Sequence, residues 1–108
     1  MNTAYYTEKS RRFAIYPDAG TGNTTEYMYL ALGLSDEAGE VAGKINKMYR
    51  DGAFDPEGIA KELGDVMWYL TMLADTLGYT LDDILKLNLQ KLEGREERGT
   101  LGGSGDNR

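Results

Sequence analysis

The 108-residue chain contains no cysteine and no histidine. The absence of cysteine excludes disulfides, a thiolate nucleophile and a cysteine metal site. The absence of histidine removes the commonest general base and a common metal ligand. Any metal site must therefore be built from oxygen atoms, which favours a hard cation such as Mg²⁺ or Mn²⁺ over zinc.

Long apolar runs and excess positive charge are missing as well. No apolar run reaches the ~18 residues of a membrane-spanning helix, and the first residues lack the apolar segment of a signal peptide. The net charge of −6 argues against a nucleic acid polymer or an acidic membrane as partner. We expect a soluble, cytoplasmic protein. Small nucleotides remain compatible with this charge, because a bound divalent cation reverses its local sign.

Apolar residues recur every three or four positions over most of the chain, which predicts four helices. The predicted helices run from Thr3 to about Ile15, from Asn23 or Thr24 to about Arg50, from Asp55 to Gly78, and from Thr80 to about Gly94. A loop at 16–23 and a Gly-rich tail at 99–108 lie outside them. We therefore expect one all-α domain over residues 1–108, a bundle of about four helices. Because so short a chain buries limited surface, its core is expected to be completed by dimerisation.

Two acidic pairs stand on the second and third predicted helices. Glu37 and Glu40 form one pair, and Glu62 and Asp65 form the other. On a helical wheel, the first pair falls about 60° and 120° from the centre of its apolar stripe, and the second about 80° and 140° to the same side. The short connection predicts antiparallel packing of the two helices. Both pairs then lie on one side of the helix pair and can meet at one cation.

Acidic pairs three residues apart are also common on solvated helix faces, so one pair alone indicates little. Gly39 and Gly64 lie inside the two pairs, and each costs ~1 kcal/mol against alanine in a helix. We interpret them as positions where a neighbouring helix comes close, either for plain packing or for the site. A di-iron carboxylate bundle requires Glu-x-x-His motifs and is excluded by the absence of histidine.

The stretches Asp36-Glu-Ala-Gly-Glu40 and Glu62-Leu-Gly-Asp65, with Asn88-Leu-Gln-Lys91 and Arg95 further on, resemble the MazG-like all-α nucleoside triphosphate pyrophosphohydrolases. The likeness runs from about Thr24 to Arg95, and the end of the tail is similar to that of small single-domain members. It implies a helical bundle that forms a homodimer or a dimer of dimers. It also implies Mg²⁺-dependent hydrolysis of a (deoxy)nucleoside triphosphate to monophosphate and pyrophosphate, in nucleotide-pool housekeeping.

By this resemblance, Glu37, Glu40, Glu62 and Asp65 are the metal ligands, with Mn²⁺ as a possible substitute for Mg²⁺. The first acidic position of the family motif is Asp36 rather than glutamate. Its shorter side chain reaches less far, so activation of the attacking water falls to Asp36 or to Glu37. The alternative to an active enzyme is a catalytically weak helical oligomer that binds nucleotide or a protein partner.

Four further side chains are candidates for substrate binding: Lys44, Asn88, Lys91 and Arg95. Lys44 lies one turn beyond Glu40, where it can contact phosphate, balance the carboxylates or form an ordinary surface ion pair. Lys91 and Arg95 share a helix face and suit phosphate binding, or else form a basic surface stripe. Asn88 orients a phosphate or lies at an interface.

Trp68 is placed by the wheel on the side of the third helix opposite its apolar stripe. A large apolar side chain in that position predicts a subunit interface, with base stacking as a weaker alternative. The tyrosines at 5, 6, 27 and 29 are expected in the core or at an interface.

Overall fold

The computed structural model describes all residues from Met1 to Arg108 and contains four helices and no strands. The helices are α1 (Thr3–Arg11), α2 (Thr24–Asp51), α3 (Pro56–Thr76) and α4 (Leu81–Glu97). The expected all-α fold of four helices is confirmed. None of the four helices combines the length and the apolar character needed to cross a bilayer.

Local capping sets most of the helix ends. The side chains of Asn23, Asp55 and Thr80 accept hydrogen bonds from backbone N–H groups in the first turns of α2, α3 and α4. Thr80 and Asp83 form the reciprocal capping box that their spacing predicts. Gly52 ends α2 with φ 70°, a conformation that costs glycine little because it has no Cβ.

The first helix ends four residues before the predicted Ile15. The backbone N–H of Arg12 already bonds to carbonyl oxygens of Lys9 and Ser10, and the chain then turns inward. Ala14 packs against the core and Tyr16 is part of it. The apolar residues after Arg11 therefore serve the loop and the core, whereas their pattern suggested a longer helix.

The main unit of the fold is an antiparallel pair of α2 and α3. The Tyr27 hydroxyl donates to the Thr76 carbonyl oxygen at 3.3 Å, and further along the pair the Tyr69 ring lies directly against Gly33. A side chain at Gly33 would collide with that ring, so glycine is required there. Leu30, fully buried, and Met72 form the core between the helices together with Tyr16 from the loop.

α1 packs across α3 and the start of α4. The Trp68 indole N–H donates to the Ser10 carbonyl oxygen at 3.1 Å. Arg11 forms a two-point ion pair with Asp75, at 2.6 and 2.9 Å. α4 contacts α1 and α3 but not α2, so the helices do not enclose one another on all sides.

Trp68 is therefore not the exposed interface residue that the wheel predicted. It packs against the core cluster and meets the rings of Tyr16 and Tyr69 edge-on, at 6.2 and 5.0 Å. The wheel considered only the pairing of α2 with α3. In the folded chain α1 covers the opposite side of α3, and that helix buries much of the indole.

Candidate metal centre

Three of the four predicted metal-binding carboxylates converge. Glu37 from α2 and Glu62 and Asp65 from α3 each offer an oxygen atom within 4.8 Å of those of the other two. Glu37 and Glu62 are partly buried and Asp65 is exposed. None of them forms an ion pair with a basic side chain. Like charges held this close without a counterion repel one another, and a divalent cation would relieve that repulsion.

The two helices deliver this geometry through their register. Antiparallel packing brings the middle of α2 opposite the first half of α3, so Glu37 faces the Glu62–Asp65 turn. Glu62 and Asp65 stand three residues apart and project from one side of α3. The convergence that the wheel predicted is thus present for these three residues.

The surroundings of Glu37 raise the pKa of its carboxyl group. Burial is the largest cause, followed by the negative charges of Asp65 and Glu62, and then of Asp36 and Glu40. Burial and like charges both disfavour the ionised form. Glu37 is the carboxylate in this cluster whose charge is least well accommodated by the protein alone.

The donor set fits a hard divalent cation. It consists only of carboxylate oxygens, with no nitrogen or sulfur ligand available anywhere in the cluster. Mg²⁺ and Mn²⁺ prefer such ligands, and Mg²⁺ is commonly held by a few carboxylates together with water and substrate phosphates. Three converging carboxylates with open space beside them meet that description.

Glu40 and Asp36 lie outside the group of three. Both are exposed on α2, and both act on the pKa of Glu37 through their charge. Glu40 is one turn beyond Glu37, so it is near the cluster without being part of it. Asp36 borders a separate shallow cavity with Tyr29 and Tyr69.

A cavity of about 640 Å³ opens beside the carboxylates and is lined by both Glu37 and Asp65. Its aromatic lining residues are Tyr5, Tyr6, Phe13, Tyr29, Trp68 and Tyr69. A volume of this order accommodates a drug-sized organic molecule. Tyr5, Tyr6 and Tyr29, which the sequence places in the core or at an interface, line this cavity.

Gly39 and Gly64 do not mark a close helix approach. A Cβ added at either position would meet nothing within 4 Å. Gly64 instead lines the aromatic cavity between the cluster and Trp68. The close approach that was expected at these glycines occurs one turn before the cluster, at Gly33.

The four predicted substrate-binding residues lie apart from this cavity. Lys44 is partly buried on α2 and forms no ion pair. Asn88 is exposed and borders a second cavity, of about 600 Å³, between α1, α3 and α4. Lys91 and Arg95 contact the C-terminal tail. None of the four lines the aromatic cavity. Asn88, Lys91 and Arg95 belong to α4, which does not contact α2.

Comparison with known proteins shows the family of the chain. The family model described as the MazG nucleotide pyrophosphohydrolase domain matches residues 25–100. This range contains all three clustered carboxylates. The chain is also 42% identical to the Gene 37 protein of Mycobacterium phage L5, over an alignment of 114 residues that covers all of both chains. No solved structure matches it. The chain belongs to the family defined by the MazG nucleotide pyrophosphohydrolase domain.

Proposed function

We propose that the protein hydrolyses (deoxy)nucleoside triphosphates to nucleoside monophosphate and pyrophosphate, with Mg²⁺ as cofactor and Mn²⁺ as a substitute. The observation that supports this most directly is the convergence of Glu37, Glu62 and Asp65 beside an aromatic cavity. The three carboxylates suit a cation that binds phosphates, and the aromatic cavity suits a nucleoside. The family membership supports the same chemistry.

In this proposal Glu37, Glu62 and Asp65 hold the cation, and Glu40 joins them from the next turn of α2. The cation supplies Lewis-acid chemistry, offsetting phosphate charge and lowering the pKa of water. The aromatic rings of the cavity stack on the base, which every nucleobase permits through its π-face. The partly buried position of Glu37 and Glu62 strengthens their attraction for a cation.

The chemical step is attack of water on the α-phosphorus. A new P–O bond forms there, the bond from the α-phosphorus to the bridging oxygen breaks, and pyrophosphate leaves. The water proton passes to a carboxylate oxygen of Glu37 or of Asp36.

Dimerisation, or assembly as a dimer of dimers, is part of the proposal. Only nine of the 108 residues are buried, which is few for a chain that folds alone. Within one chain, the predicted phosphate-binding residues of α4 do not line the cavity beside the carboxylates. A second copy supplies both apolar cover and additional cationic groups in this arrangement.

The test is pyrophosphate release from a panel of canonical and modified (d)NTPs with Mg²⁺, with Mn²⁺ and with chelator. The Glu62→Gln variant removes one charge of the cluster and is expected to lose at least about a hundredfold in activity, since even indirect partners of a metal site cost 10- to 100-fold. Glu57→Gln is the matched control, because its exposed ion pair with Lys61 on the same helix contributes little.

Metal-dependent release with monophosphate as co-product, lost in Glu62→Gln and kept in Glu57→Gln, supports the enzyme. A folded wild-type protein that releases nothing from any nucleotide contradicts it. Such a protein would instead be the nucleotide-binding or partner-binding oligomer.

A further inference from the structure

The C-terminal tail, residues 99–108, folds back over α4 and contacts its basic side chains. The Lys91 ammonium lies 3.4 Å from a carboxylate oxygen of Asp106. The Arg95 guanidinium donates to the carbonyl oxygens of Gly105 and Asp106, at 3.3 and 3.1 Å, and lies 3.6 Å from the same Asp106 carboxylate. The tail therefore meets this pair of cations entirely with oxygen acceptors.

Arg95 is unusually buried for a basic residue. Its side chain is only 8% exposed, and its Nε has no hydrogen-bond partner. A buried charged group with an unpaired donor is costly. The tail carbonyls accept hydrogen bonds from the Arg95 Nη2 and leave the Nε–H without an acceptor.

The tail's own folding depends on arginines as well. Arg98 donates to the Arg108 backbone oxygen at 2.7 Å. Arg108 donates to the carbonyl oxygens of Thr100, Leu101 and Gly105, at 3.0, 3.0 and 2.7 Å. Positive φ angles at three glycines let the chain curve back. These contacts hold the tail in a compact turn that places Asp106 over Lys91 and Arg95.

The tail is nevertheless held weakly, because most of its residues are exposed. Residues 101–107 are all exposed, and the Asp106 side chain is 84% exposed. Exposed ion pairs contribute little to stability, and segments without apolar cover open at low free-energy cost. A polyphosphate brings several negative charges and many acceptor oxygens, against one carboxylate and a few carbonyls.

We propose that the tail is an internal competitor for the anion site formed by Lys91 and Arg95, and that pyrophosphate or the phosphates of a nucleotide displace it. This inference rests on the proposed function, because it concerns residues predicted to bind phosphate. The inferred ligand of Lys91 and Arg95 is a polyphosphate. The tail would leave these residues when the ligand binds, instead of closing over it. Asp106 is the group that competes by charge.

The first experiment measures binding of inorganic pyrophosphate by calorimetry in the presence of chelator. Asp106→Asn removes the competing charge but keeps the backbone contacts of the tail, so the variant is expected to fold. We expect it to bind pyrophosphate on the order of three- to tenfold more tightly than the wild type, because it lacks the ion pairs of Asp106 with Lys91 and Arg95, whose Asp106 end is exposed. Glu97→Gln, an equal change in charge at an exposed α4 residue without an ion pair, should leave the affinity unchanged.

Equal affinities in the wild type and Asp106→Asn would overturn the inference. So would the absence of pyrophosphate binding in both proteins, or an equal gain in the Glu97→Gln control.

The second experiment follows the tail itself by the ¹H–¹⁵N heteronuclear NOE of Gly102, Gly103 and Gly105. These values report picosecond-to-nanosecond motion. They should fall when wild-type protein is titrated with pyrophosphate, while those of α4 stay constant. Unchanged values, or values that rise because the tail closes over the anion, contradict displacement.

Neither experiment involves turnover, so the inference and the proposed function fail in different ways. A protein that releases its tail on binding pyrophosphate but hydrolyses no nucleotide keeps this inference and loses the reaction. A protein that hydrolyses nucleotides while its tail stays fixed and Asp106→Asn is neutral loses this inference alone.

Discussion

Among single residues, Glu37 carries the strongest conflict between sequence and environment. Its carboxyl group is partly buried and faces four other acidic side chains, with no basic partner in the chain. A glutamate in such a place lowers the stability of the metal-free protein. Conflicts of this kind are expected where a residue serves a function more than the fold.

Replacing Glu37 by Gln should therefore stabilise the metal-free protein at pH 7. Because folding raises the pKa of Glu37, wild-type stability falls as the pH rises from the ordinary glutamate value, about 4.3, through the raised value. The variant has no carboxyl group at position 37, so its stability does not fall in this way as the pH rises. In chelator, its melting temperature should exceed that of the wild type by up to a few degrees at pH 7, with the difference vanishing near pH 4.

In excess Mg²⁺ or Mn²⁺ the wild type should have the higher melting temperature of the two. A ligand that binds only the folded state stabilises it, and the variant has lost one carboxylate of the metal site. Glu57→Gln, on an exposed face of α3, should follow the wild type throughout. A Glu37→Gln protein that is less stable than the wild type in chelator at pH 7 would show that the carboxylate is not the strained group.

The candidate site could be predicted from the sequence only as far as helical periodicity reaches. The spacing of the acidic residues, and the side of the apolar stripe on which they lie, suffice to predict that Glu37 meets Glu62 and Asp65. They do not distinguish Glu40, at about 120° from its stripe centre, from Asp65, at about 140°, yet only Asp65 joins the group of three. The burial of Arg95 depends on residues ten and eleven positions later, which no local pattern reveals.

At the level of elements, helix starts were predicted well because caps are local. Asn23, Asp55 and Thr80 each act on an N–H three residues further on. The end of α1 was predicted poorly because tertiary packing decides it: Ala14 and Tyr16 turn toward the core instead of continuing the helix. The position of α1 over Trp68 was missed for the same reason, since it joins parts of the chain far apart in sequence.

The loop between α1 and α2 is organised by one buried carboxylate. Glu26 is 2% exposed and accepts hydrogen bonds from the Tyr16 hydroxyl and the backbone N–H groups of Gly20 and Gly22, at 2.6, 2.7 and 2.8 Å. Burial by itself would raise the pKa of Glu26, but these three bonds outweigh it and the pKa is lowered. Tyr16 in turn stacks on Tyr29, with ring centroids 4.5 Å apart, beside the aromatic cavity.

Glu26→Gln should loosen this loop and destabilise the protein by about 2 kcal/mol. A glutamine amide keeps one acceptor oxygen and turns an NH₂ group toward the remaining donors, so at least one of them loses its partner. Urea unfolding at pH 7 measures the effect. Tyr16→Phe is the graded comparison: it removes a single bond, keeps the ring on Tyr29, and should cost about 1 kcal/mol.

Equal stability of Glu26→Gln and the wild type would contradict the assignment of Glu26 as the loop's anchor. The lowered pKa gives a second check. The contribution of Glu26 is full above about pH 4.3 and is lost as the pH falls through the lowered value. The gap between the wild type and Glu26→Gln should therefore narrow toward pH 3.

The whole molecule is more open than its length predicts. Its radius of gyration is 16.5 Å, against about 13 Å for a globular domain of this size. Large apolar side chains remain exposed along the helices, among them Leu32 at 66% and Leu63 at 52%. An isolated chain with so much apolar surface and so few buried residues is poorly stabilised, which supports assembly of several copies.

The leucines of α4 show where such assembly is most needed. Leu85, Leu89 and Leu92 are 52%, 56% and 40% exposed and share one helix face at spacings of four and three. Leu85 also borders the apolar cavity that α4 forms with α1 and α3. In the single chain this row has no helix packed over it, because α2 does not reach α4.

Leu89→Glu should therefore dissociate the protein to a single chain of 12.0 kDa, whereas the wild type should have two or four times that mass. Burying an unpaired carboxylate at the centre of an apolar contact costs several kcal/mol, and ~2.7 kcal/mol already weakens association a hundredfold. Light scattering coupled to size-exclusion chromatography, at micromolar concentration, gives the masses directly.

Gln90→Glu adds the same charge at the next exposed position of α4 and should keep the wild-type mass. A Leu89→Glu protein with the mass of the wild type would place the interface elsewhere, and a wild type of 12.0 kDa would mean that the open structure is stable as a monomer.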